Sequence, residues 1–263
     1  MDVTVQGIYV YPIKGMQGIA LQEAMVLPKG LENDRRWMLV DDGGNAITQR
    51  QLPALAGFEV TMATGNNLLV SYQNKQISIP LLPKGLAMQA WVFEQAVLVT
   101  EVAPAISQWF SQQLKNPCRL VHFAEEATRQ VDTAYAPVGT HTSLSDGYPV
   151  LVTNLASLAD LNSRLHEPVP MDRFRPNIVL QTQEPFAEDR WQTLQLPNLL
   201  LSLVKPCARC TVTTVNQHTG QRGTEPLATL ARFRKQGNKV LFGQNALVIR
   251  AGSVRVGQQV TTQ

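Results

Sequence analysis

Cysteine is scarce in this 263-residue chain, which carries three. Three thiols cannot build a disulfide framework, so the expected setting is a reducing cytoplasm. Excess charge is also lacking: 23 Lys and Arg against 20 Asp and Glu leave a formal +3. That balance gives no general attraction to nucleic acid or a membrane surface, and any anion binding must be local. Long hydrophobic runs are missing too, because the most apolar stretch, 199–204, is far too short to cross a bilayer. The N-terminus alternates around Val3, Val5 and Ile8 with no cationic segment before an apolar one, so it does not read as a signal peptide. There is no internal repeat and no low-complexity tract. What remains is an ordinary globular composition, 44% hydrophobic and 16% charged, long enough for one large or two modest domains.

Two of the three cysteines fall in Lys205-Pro206-Cys207-Ala208-Arg209-Cys210, followed by the β-branched run 211–215. A thiolate is the form that binds metal or attacks an electrophile, and the cations Lys205 and Arg209 favour it. Several chemistries fit this spacing. Dithiol exchange places the first cysteine at a helix N-terminus, whereas the following residues predict a strand. A zinc site needs four ligands, and Cys118 with His122 is one way to complete Cys207 and Cys210. Plain packing of small hydrophobes fits Cys118 and Cys207. The remaining reading is a single thiolate on a metal cofactor carried by an organic anion, with cations and amides from several loops around it.

The rest of the chain supplies such groups at the ends of predicted elements. Alternation over 3–11 predicts a strand that delivers Lys14 into a loop, and Arg35 follows Asp34 between two further strands. Short strands recur up to residue 101, which suggests a barrel or sandwich. Pro104 opens an amphipathic helix, and 118–123 returns as a strand. The polar connection 124–147 reads as an active-site loop and domain junction. Strand 148–152 then leads into a helix capped by Thr153 or Asn154, whose N-terminus offers an anion site. If 171–177 is extended, Arg173 and Arg175 share a face. Beyond the cysteines come a short helix near 226–234 and strands near 240–249 and 253–261, giving a β-rich chain with about three helices.

Seven short motifs belong together: Tyr11-Pro12-Ile13-Lys14-Gly15, Asp34-Arg35-Arg36-Trp37, Asp146-Gly147-Tyr148-Pro149, Ala156-Ser157-Leu158-Ala159-Asp160-Leu161-Asn162, Phe174-Arg175-Pro176-Asn177, Cys207-Ala208-Arg209-Cys210 with Thr213-Thr214-Val215, and Phe242-Gly243-Gln244-Asn245. They span nearly the whole chain. With them the sequence resembles the MOSC family of molybdenum cofactor proteins, in its YcbX-like and mitochondrial amidoxime-reducing-component branch.

The resemblance implies a mainly β fold with some α: a MOSC N-terminal β-barrel domain over 1–118, then a β-barrel-like MOSC domain over 119–263. It implies a molybdopterin-bound molybdenum held between them, with Cys210 as protein ligand to the metal. The cofactor-contacting positions are then Lys14, Gly15, Arg35, Asn154, Ser157, Arg175, Asn177, Ala208, Arg209 and Cys210. Gly15 stands where some relatives have serine, and Asn245, near the metal, where others carry tyrosine. The implied activity is reduction of amidoximes, hydroxylamines and other N-hydroxylated bases. The cysteines of a fused iron–sulfur domain are not seen, so electrons are expected from a separate flavoprotein or iron–sulfur reductase. The alternative is a cofactor carrier or sulfur-transfer protein without turnover.

Overall fold

The structure, a computed structural model, describes residues 2–263. Its largest sheet has nine strands. Eight run in the order Thr261–Thr262, Thr193–Gln195, Leu200–Ala208, Lys239–Arg250, Val150–Asn154, Ile178–Gln181, Thr4–Val10 and Ile19–Leu21, and Lys235–Gln236 pairs with Lys239–Arg250. Alternation is what places the first strand: Val5, Ile8 and Val10 bury their side chains against Val152, Ile178 and Leu201 in one core. Only Val150–Asn154 and Ile178–Gln181 pair parallel within this sheet, across the helix Leu155–Asn162.

The N-terminal half adds a four-stranded sheet, Trp37–Val40, Arg119–His122, Gln95–Glu101 and Ala87–Val92, and a meander of Glu59–Ala63, Asn67–Tyr72 and Lys75–Pro80. The helix Pro104–Leu114 covers this core with Phe110, Trp109 and Leu114. The fold is therefore mostly β, with three α-helices among the described residues. Its sheets do not divide at 118/119. Arg119–His122 pairs with Trp37–Val40 and Gln95–Glu101, and the first strand of the chain sits among strands from its second half.

Two local expectations are corrected, and one of the alternatives left open is not assembled. Residues 211–215 do not extend as a strand, because Thr211–Thr214 forms a 3-10 turn. The hydroxyls of Thr213 and Thr214 donate to the carbonyls of Cys210 and Thr211 at 3.0 and 2.8 Å, so side chains satisfy backbone acceptors that a ladder would otherwise need. The strand lies before the motif instead, and Leu200–Ala208 runs straight through Cys207. Second, 171–177 is not extended: Met171–Phe174 is another 3-10 turn, ending at Arg175 in the left-handed region, φ 53°. Arg173 and Arg175 therefore part company, and Arg173 donates to the carbonyls of Thr213 and Glu225. Cys118 lies in the N-terminal core, where the Ser111 hydroxyl bonds its carbonyl at 3.0 Å and burial pushes its thiol pKa up. No cluster of three or more His, Cys, Asp or Glu poised for a metal occurs among the described residues, so the zinc quartet is not assembled. Nor is any helix among them long and apolar enough to cross a membrane.

Candidate functional site

A cleft of about 300 Å³ opens where the N-terminal loops meet the large sheet. Lys14, Arg35, Arg50, Arg175, Lys205 and Arg209 line it, against one carboxylate, Asp146. Each cation is placed by a specific piece of backbone.

Lys14 leaves the first strand through Tyr11-Pro12-Ile13, and its amide is fixed by the Trp37 carbonyl at 2.7 Å. The residue is 6% exposed, and its ammonium donates to the Leu144 carbonyl at 2.9 Å and to Asp146 Oδ1 at 2.5 Å. Burial lowers the lysine pKa and Asp146 opposes that fall. In return Lys14 holds the Asp146 carboxyl well below the usual carboxylate range. Gly15 follows with φ 87°, and a Cβ there would meet Leu55 Cδ1 at 3.1 Å. Glycine is thus the residue this turn accommodates without strain.

Tyr11 carries two guanidinium groups on its ring, Arg35 at 4.4 Å and Arg175 at 4.3 Å from the centroid. Asp34 anchors Arg35 at 2.5 Å and accepts the Tyr11 amide at 2.8 Å, and Arg35 also reaches the Arg175 carbonyl at 3.0 Å. Burial pushes the Arg175 pKa down to about 10, which leaves it charged at neutral pH.

On the opposite wall, Arg209 donates to Cys207 Sγ at 2.9 Å and to the Phe174 carbonyl at 2.5 Å. Its Nε is buried without a partner among the described residues. Cys210 caps the turn Thr211–Thr214, and its thiol lines the cleft with no hydrogen bond among the described residues. Ala208 and Asn245 share that wall, Asn245 from the neighbouring strand. Asn177 also lines the cleft, yet its amide is spent on structure. It accepts from Leu151 N at 3.1 Å and donates to the Tyr9 carbonyl at 3.2 Å.

Asn154 and Ser157 do not join the group. Asn154 caps its helix by accepting the Ala156 amide at 3.1 Å, while its NH₂ donates to Thr182, Glu184 and Glu188. Ser157 donates to both Glu188 oxygens, at 2.8 and 2.9 Å. Glu188 is 0% exposed and no cation pairs with it among the described residues. Its pKa is raised by burial, and these two side chains are the donors that satisfy it. The helix N-terminus is therefore turned to an internal carboxylate and does not line the cleft.

Several contributors carry no local motif. Arg129, 4% exposed, donates to the carbonyls of Ser143, Ser145 and Asp146 and so holds the wall that faces Lys14. Gln49 and Gln217 are buried partners from the two halves of the chain. The polar character of 124–147 was the one signal that pointed toward Arg129.

The arrangement suits a multiply anionic ligand: an excess of cations, an unspent guanidinium nitrogen, and two soft thiols on one wall, of which that of Cys210 makes no hydrogen bond among the described residues. The family model described as "MOSC N-terminal beta barrel domain" matches residues 2–117, and that of the "MOSC domain" matches 139–261. Mitochondrial amidoxime-reducing component 1 of Mus musculus is 33% identical over 98% of this chain and 81% of its own length. The Homo sapiens protein of the same name is 33% identical over 98% and 82%. Molybdenum cofactor sulfurase of Oryza sativa is 29% identical over 92% of this chain, which covers 32% of that protein. Among solved structures, the YuaD protein of Bacillus subtilis aligns over 99% of this chain and 94% of its own at 8% identity and a TM-score of 0.44, too slight a likeness to argue from. With both models matched and such relatives along nearly its full length, the chain belongs to the MOSC family, with the MOSC N-terminal β-barrel domain preceding the MOSC domain.

Proposed function

We propose that this protein is a molybdenum cofactor-dependent reductase of N-hydroxylated compounds. The observation that carries the reading is Cys210, an unengaged thiol in a cleft whose cations far outnumber its acids. Lys14, Arg35 and Arg175 would hold the phosphate of a pterin cofactor, and Arg209 the segment beside the metal ligand, Cys210. Ala208 and Asn177 line the same space. When bound, the cofactor supplies two-electron redox and oxygen-transfer chemistry. The chain's own part is to bind, orient and charge-balance. Tyr11 keeps Arg35 and Arg175 together, Arg129 fixes the wall at Lys14, and Asn245 faces the incoming substrate as a neutral hydrogen-bonding group. Overall, an amidoxime takes up two electrons and two protons and leaves as an amidine and water, with the electrons drawn from a separate reductase.

Relatives named for amidoxime reduction support this reading over nearly the whole chain. The relatives named as cofactor sulfurases favour a second one, a carrier that binds the pterin without turnover. Protein made in cells that synthesise the cofactor separates the two. Molybdenum and oxidisable pterin with benzamidoxime reduction by an artificial reductant is the expected result. Bound cofactor with no reduction of any N-hydroxylated compound would hand the assignment to the carrier.

A further inference from the structure

Most cations of the cleft are already engaged. Lys14 is on Asp146, Arg35 on Asp34, Arg175 on Gln217 Oε1 at 3.1 Å, and Arg209 on Phe174 and Cys207. Lys205 differs. It sits in Leu200–Ala208, two residues before Cys207 and opposite Asn245 in the next strand. Its side chain is 23% exposed, yet its ammonium makes no hydrogen bond among the described residues, and Asp132 lies 3.8 Å away with a carboxylate that is 53% exposed. Such a loose pair at the surface holds a lysine weakly. The rest of its surroundings is aromatic: Tyr135 at 3.9 Å and Tyr148 at 5.6 Å from ring centroid to Nζ. A partly dehydrated ammonium with free donors gains most from an anion.

A second unspent donor stands beside it. The Tyr148 hydroxyl is buried with no hydrogen-bond partner among the described residues, and burial raises its pKa, so it stays a neutral donor at working pH. Both residues line the cleft together with Asn245 and Cys210. Lys205 already occupies the face of Tyr135, so a cationic substrate arriving there would meet a like charge rather than an open aromatic ring.

We propose that Lys205 and Tyr148 form an anion subsite on the cysteine side of the cleft, which selects N-hydroxylated substrates bearing a carboxylate. The proposal rests on the reductase reading and deepens it by naming the substrate class. The subsite leaves the phosphate-binding cations at Lys14 to the cofactor and adds a second cation to the wall that carries Arg209 and Asn245.

The test compares para-carboxybenzamidoxime with unsubstituted benzamidoxime on the cofactor-loaded protein, by kcat/KM and by calorimetric binding. Wild type should favour the carboxylate by about tenfold, the scale of one charge-assisted hydrogen bond. Lys205→Met should abolish that ratio, Lys205→Arg should retain most of it, and Tyr148→Phe should reduce it in part. Lys205→Gln gives the same reading if the methionine variant does not fold. Reduction of both compounds at equal efficiency, or a ratio that survives loss of the ammonium, overturns the subsite. If neither compound is reduced while the carboxylate still binds more tightly through Lys205, the subsite stands and the reductase reading falls.

Discussion

Gln49 and Gln217, 168 positions apart in sequence, exchange two hydrogen bonds, one amide donating at 2.9 Å and the other at 3.0 Å. Each also reaches the cleft. Gln49 Nε2 holds the Gly15 carbonyl at 2.6 Å, and Gln217 Oε1 accepts from Arg175 at 3.1 Å. The pair therefore ties the loop that carries Lys14 to the turn that carries Arg175.

Replacing Gln217 by leucine leaves Gln49 Oε1, one N–H of the Gln49 amide and an Arg175 donor without these partners in a buried place. The expected cost is about 1–3 kcal/mol in urea unfolding. Pterin retention through desalting should fall with it, because Arg175 loses its tether. A variant that unfolds like wild type and keeps its cofactor would show that the two halves are held by other contacts.

His122 gives a pH signature. It is buried beside the Trp37 ring, at 4.9 Å between centroids, and burial with Arg36 nearby pushes its pKa down from 6.5 to about 4. The unfolded chain takes up a proton near pH 6.5, whereas the folded one resists until about pH 4. Stability from this residue is thus fully present above pH 6.5 and is lost as pH falls toward 4, by up to about 3 kcal/mol. Urea midpoints at pH 7 and pH 5 should separate in wild type and converge in His122→Gln.

Arg129 should behave as a planar fork rather than as a charge. Its three nitrogens serve Gln95 Oε1 at 2.8 Å and the carbonyls of Ser143, Ser145 and Asp146. Lysine carries the charge without the fork. Arg129→Lys and Arg129→Met should therefore both destabilise by about 2–4 kcal/mol and loosen binding at Lys14. Full rescue by lysine would reduce the role of Arg129 to electrostatics.

The two thiols of the motif should not be equivalent. Cys207 accepts from Arg209, whereas Cys210 has no partner among the described residues and lies at the start of the turn Thr211–Thr214. Cys210→Ser should lose molybdenum and benzamidoxime reduction, while Cys207→Ser keeps much of both. Metal analysis alongside turnover checks this, and equal losses would remove Cys210 from its assigned role.

Much of the cleft was legible where a residue's place follows from its own strand or turn. Lys14 comes off an alternating strand, Arg35 stands next to the carboxylate that anchors it, and Cys210 ends a marked motif. Where the structure departs from those expectations, the cause is different. Asn154 reads as a cap at an anion-binding helix start and Ser157 as a contact implied by the resemblance, but their partner Glu188 lies 34 and 31 positions further along. No local pattern announces a buried carboxylate that will claim them. The run 211–215 misled because β-branched side chains favour strands on average, while threonine hydroxyls can also satisfy nearby carbonyls. Gln49 with Gln217 had no signal at all, since neither glutamine is distinctive until the halves meet.

The strand Thr4–Val10 lies between Ile19–Leu21 and Ile178–Gln181 in the large sheet. This strand must therefore wait for residues near 180 before its second edge is covered, a contact of high sequence separation and slow closure. A nascent chain released at the end of the first matched segment would display an unpaired strand edge next to the loop that bears Lys14. Chimaeras that exchange the two matched segments between relatives must therefore carry the first strand along with the half it pairs to.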